Sequence, residues 1–189
     1  MKKNIFAILI LLASQVWAQS MNGFANIDFG LDREDVIEDI MKLGYDPLGQ
    51  VESGDRVVIP VYMLGDLPVQ VDFLFNKNNK FFAFEIRTGR MESDRLPKVF
   101  EALDYMSDQF ALKYGTKYKI TLLQEADIKP GVHNLYRQWI AHKSLNIYTA
   151  IILKDGRYYS VGSVTNRNLA KEEKSSKAVS HKTSKTPRF

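Results

Sequence analysis

The 189-residue chain has no cysteine. That excludes disulfides, thiolate-held zinc and the lipidated cysteine by which bacterial lipoproteins are anchored. Histidine is scarce: His133 and His142 are expected at opposite ends of one strand, and His181 lies in the C-terminal tail. A zinc site draws three or four converging ligands together. No metal and no cofactor are therefore expected. Long apolar runs are missing as well. A membrane span takes about 20 apolar residues, and the nearest approach after the N-terminus, residues 147–153, reads as a strand.

Basic surplus is absent where a folded surface would need it. The chain carries 26 Lys+Arg and 22 Asp+Glu. Lys2 and Lys3 sit at the N-terminus, and residues 170–189 hold six bases and two acids. Setting these aside leaves 18 bases against 20 acids in residues 19–169. Nucleic-acid binding by the folded part is not expected.

What the chain does have begins with a leader. Lys2-Lys3, the apolar stretch 5–13 and Val16-Trp17-Ala18 read as a secretory signal peptide, residues 1–18, cleaved after Ala18. The expected location is periplasmic or secreted. Residues 19–169 are expected to form one α+β domain, with halves at 24–90 and 91–169. From residue 170 Lys, Ser and Thr dominate, which predicts a disordered basic tail. That tail reads either as a solubilising extension or as a weak contact for envelope polyanions.

The first helix has several local signals. Asp32 is placed to cap it, with its carboxylate accepting from the first-turn amides. Leu31 and Val36 occupy staple positions, Val36, Ile37, Ile40 and Met41 form an apolar face, and Gly44 suits a left-handed stop. A second helix is expected over 94–114, from the spacing of Leu96, Val99, Phe100, Leu103, Met106, Phe110 and Tyr114. Strands are expected over 57–63, 69–75, 82–86, 118–123, 135–142, 145–153 and 158–164. Pro60 suggests an edge or a bulge, and Asp155-Gly156 marks a two-residue hairpin. With a short strand near Gln50, each half would be a helix plus four strands. The predicted fold is an antiparallel sheet with two helices packed on one face.

The stretch Phe29-Gly30-Leu31-Asp32-Arg33-Glu34-Asp35-Val36, running through Leu43-Gly44-Tyr45-Asp46-Pro47, resembles the opening of the envelope proteins related to the outer-membrane assembly lipoprotein small protein A. The β-lactamase-inhibitor-like fold uses two such units in tandem. The resemblance implies protein–protein binding in the cell envelope without catalysis. The chain departs from that pattern in lacking the lipidated cysteine and in showing one helix, not two, before the sheet. No binding residue carries over.

Candidate contact residues come from composition. Tyr136, Trp139, Tyr148, Tyr158 and Tyr159, flanked by Arg137 and Arg157, form an aromatic set on the C-terminal hairpins. Such residues are enriched in protein interfaces. The leading expectation is a non-catalytic protein-binding module with an envelope protein as partner. The alternative is a carrier of an apolar or lipid ligand between sheet and helices, where Phe73, Phe75, Phe82 and Phe84 share one face. A third is a hydrolase using Asp72, Glu85 or His142. No Gly-x-Ser-x-Gly elbow supports it, and Ser160 and Ser163 sit on a strand.

Overall fold

A computed structural model describes residues 22–47 and 56–171. The leader, the strand expected near Gln50 and the tail from residue 172 lie outside them. No helix among the described residues is long and apolar enough to cross a membrane.

The chain runs β1 (Gly23–Phe24), β2 (Ile27–Asp28), α1 (Arg33–Lys42), β3 (Arg56–Leu64), β4 (Leu67–Phe75), β5 (Phe81–Arg87), α2 (Leu96–Tyr114), β6 (Tyr118–Ile120), β7 (Asn134–Trp139), β8 (Leu145–Lys154) and β9 (Arg157–Asn166). β1 and β2 form a small ribbon. The other strands make a seven-stranded antiparallel sheet in the order β3-β4-β5-β9-β8-β7-β6. The class is α+β. Two meanders, β3-β4-β5 and β6-β7-β8-β9, meet where their last strands pair, Phe84 opposite Val164 and Ile86 opposite Gly162.

Local chemistry explains the element ends. Gly44 follows α1 at φ +85°. Its amide donates to Met41 O while the amide of Tyr45 donates to Ile40 O, the paired closure of a left-handed stop. Asp155 and Gly156 both take positive φ and join β8 to β9 with Lys154 opposite Arg157. Pro60 sits on edge strand β3, within a register shift between Ile59 and Tyr62.

Two local expectations are corrected. Asp32 precedes α1, but its side chain makes no capping hydrogen bond. Its Oδ2 instead accepts from Lys80 Nζ at 2.9 Å, a stronger donor supplied by the β4–β5 turn. On β5, Phe81 rather than Phe82 joins Phe73, Phe75 and Phe84 in the core, because a shift between Leu74 and Phe75 sets Phe81 opposite Phe75.

Register sorts the side chains into rows. Val57, Phe73, Phe84, Val164, Ile147 and Trp139 lie in line across six strands, and Ile59, Val71, Ile86, Gly162, Thr149 and Arg137 form the next line on that face. The second line holds the contacts of α2. A Cβ on Gly162 would lie 2.6 Å from Phe110 Cζ and 2.9 Å from Met106 Sδ, so the helix rests where a side chain is missing. Ser107 Oγ lies 2.7 Å from Thr149 Oγ1, and Ser160 Oγ donates to Val99 O at 2.7 Å. The first line meets Phe24, whose ring stands edge-on to Phe73 and Phe84 at 5.2 Å. Val36 and Ile40 of α1 belong to the same apolar cluster.

Candidate functional site

The C-terminal aromatic set does not converge. Trp139 is buried, its indole N–H donating to Gly115 O at 2.7 Å. Arg137 is buried beside α2, paired with Asp108 at 2.7 Å and Asp104 at 3.4 Å. Tyr136 donates to Asp104 Oδ1 at 2.5 Å. Tyr158 packs with Leu96, Val99, Leu103 and Ile151. Tyr159 and Tyr148 lie on the opposite face, Tyr159 beside Ile152 and Val161, and Tyr148 hydroxyl 2.8 Å from His133 Nδ1. Arg157 pairs with Glu92 at 2.7 Å. Alternation divides the set between two faces, since neighbours such as Tyr158 and Tyr159 must point apart.

The carboxylates do face each other across two strands, Asp72 opposite Glu85. Asp72 is buried and has charge partners: Arg87 Nη2 at 3.1 Å and Arg56 Nη1 at 3.6 Å, with Gln70 Nε2 donating at 2.6 Å. Burial pushes the Glu85 carboxyl up; His133 opposes that shift and Asp72 adds to it. His142 is elsewhere, its Nε2 2.8 Å from Tyr114 O and its ring edge-on to Tyr114. Asp72, Glu85 and His142 are not gathered into one site. No group of three or more metal-ligating side chains occurs among the described residues.

A cavity of about 100 Å3 lies between the β1–β2 ribbon, the sheet and α2. Phe24 and Ala25 come from the ribbon, Tyr62, Met63, Leu64 and Gly65 from the end of β3 and its turn, and Phe84 and Ile86 from β5. The helix contributes Gln109, Phe110, Lys113 and Tyr114, neighbours on one helical face. The walls are mostly apolar, and Lys113 is the one cationic residue in the lining.

Lys113 is held in place from the ribbon. Its Nζ donates to Gly23 O at 2.9 Å and stands 5.5 Å from the centre of the Tyr114 ring. Gly23 fixes that carbonyl, because any Cβ there would lie 1.9 Å from Ile27 O. Burial lowers the Lys113 amine to about 8, with the field of Asp28 opposing the shift. Tyr114 is buried, and its hydroxyl has no hydrogen-bond partner among the described residues. Burial pushes that phenol well up. Tyr62 is raised too, by burial and then by Tyr45.

The site therefore offers an apolar chamber with one ammonium in its lining, while the Tyr114 hydroxyl is covered by protein and has no partner among the described residues. Buried polar groups without partners are rare in native proteins and call for a physical reason. Sequence reading assigned Phe110 and Tyr114 to the core and passed over Lys113. Its acceptor on Gly23 is 90 residues away, and no local spacing announces that pairing. Comparisons with protein-family models, with curated proteins and with solved structures find no match for this chain.

Proposed function

We propose that this domain is a carrier or receptor for a small apolar molecule, bound in the cavity between the sheet and α2. A largely apolar cavity of about 100 Å3 between the ribbon, the sheet and α2 is the observation that carries the reading. An apolar cavity of about 150 Å3 stays dry and takes up benzene; the one here is of the same order. In this reading α2 and the β1–β2 ribbon wall the chamber against the sheet. The domain acts without catalysis, and the leader sends it to the periplasm or the medium, where it meets its ligand.

The test is uptake of a neutral probe. Toluene added to the isotopically labelled protein is expected to shift the resonances of Phe24, Ile86 and Phe110 in a saturable way. If neither toluene nor its carboxylate counterpart benzoate gives a saturable shift in these residues, the carrier reading ends.

A second reading, a protein-binding module with an envelope partner, draws support from one edge of the sheet. β6 is a three-residue edge strand, and Ile120, Leu122 and Ile140 around it are exposed, Leu122 at 86%. An edge of that kind accepts an added strand. Cross-linked capture of a defined envelope protein, abolished by Ile120→Lys with Leu122→Lys, would favour it over the carrier.

A further inference from the structure

Resting on the carrier reading, we infer that the cavity selects a small apolar carboxylate, its anionic head held by the Lys113 ammonium. Lys113 reaches the lining from the last turn of α2 and is its one cationic residue. An ammonium has three hydrogens, and among the described residues one of them is bonded, to Gly23 O. A carboxylate is acceptor-only and takes several such bonds at once, each strengthened by its charge.

Competing ligand types fit less well. A hydrocarbon would fill the chamber yet strip water from the ammonium, which costs free energy. A cation would meet the Lys113 charge. A neutral alcohol could accept from the ammonium but brings no opposite charge. Asp28, on β2, is the carboxylate whose field reaches Lys113. Of the other titratable groups, the Tyr114 ring of α2 lies under the amine, Tyr62 of β3 shares the lining, and His142 stands edge-on to Tyr114. The volume limits the apolar part to roughly six heavy atoms, judged against a benzene-sized cavity. Benzoate and hexanoate have that size.

The experiment titrates the full chain with benzoate and hexanoate, and in parallel with toluene and hexan-1-ol, following the resonances of the lining residues. At pH 7 the carboxylates are expected to bind at least tenfold more tightly than their neutral counterparts. Both carboxylates stay ionised to high pH, whereas Lys113 loses its proton near pH 8. Their affinity should therefore fall about thirtyfold by pH 9.5, the factor that follows from that titration, while toluene binding stays level. Lys113→Met should abolish benzoate preference and keep toluene. Tyr114→Phe, which keeps the ring and removes only a covered hydroxyl, should leave benzoate affinity within about twofold.

If toluene binds as well as benzoate, or if benzoate affinity ignores both pH and Lys113→Met, the carboxylate inference is wrong and the cavity reading survives. Should neither class of probe move a lining resonance, the cavity reading itself falls.

Discussion

Lys113 Nζ donates to the Gly23 carbonyl across 2.9 Å, so a charged hydrogen bond ties the last turn of α2 to the β1–β2 ribbon. The bond satisfies one hydrogen of an amine that burial has made reluctant to carry charge.

The native state should reveal that reluctance on titration. The amine's folded value, about 8, lies below its ordinary 10.5. Between these values the unfolded chain binds the proton and the folded chain does not, so stability rises with pH across that window. A gain of about 1–2 kcal/mol is expected once solvent screening of a partly exposed amine is allowed for. Urea denaturation at pH 7.5 and 9.5 checks it, and Lys113→Met should remove the rise.

Glu85 gives the opposite slope. Its carboxyl is raised above 4.5 by burial. The folded state then holds the proton more tightly than the unfolded one, and stability falls as pH rises through the folded value. Glu85→Gln should raise the melting temperature at pH 7 and leave it nearly unchanged at pH 4. Equal gains at both values would assign the effect to packing.

Gly162 should tolerate no side chain. Gly162→Val would push into Phe110 and Met106, and a loss of about 1–3 kcal/mol is expected from the resulting overpacking. Gly89, with nothing within 4 Å of its would-be Cβ, provides the control: Gly89→Ala should change stability little. Equilibrium unfolding of the two variants makes the comparison.

The Ser107–Thr149 pair fixes α2 over β8. Thr149→Val should cost about 1 kcal/mol, a typical net value for one buried hydrogen bond. Ser107 would still donate to Leu103 O. In a double-mutant cycle with Ser107→Ala the two losses should not add, because they share one contact.

Much of the fold could be read from the sequence because its signals are local. Leu31, Val36 and Gly44 lie within two turns of the helix they delimit, and Asp155-Gly156 specifies its own hairpin. Asp32 is the N-cap residue expected, but the role of its carboxylate was misassigned because its actual partner, Lys80, arrives 48 residues later. Phe82 was preferred to Phe81 because simple alternation does not foresee a shift between Leu74 and Phe75. Trp139 and Arg137 suggested a surface, yet their pairing with Ile147 and Thr149 turns them under α2. The cavity was harder still. Its walls come from residues 24–25, 62–65, 84–86 and 109–114, and no two of these stretches are adjacent in the sequence.

The meeting of β5 with β9 sets the order in which the molecule can be completed. β5 is synthesised before α2, whereas the strand that covers its free side is the last of the sheet. While the chain grows, the β3-β4-β5 meander presents Phe84 and Ile86 on an open border, the kind that invites a neighbouring copy. Closure must await a strand from far along the chain, which makes this contact slow to form. The time between the making of β5 and the arrival of β9 is therefore the interval in which this protein is most exposed to aggregation.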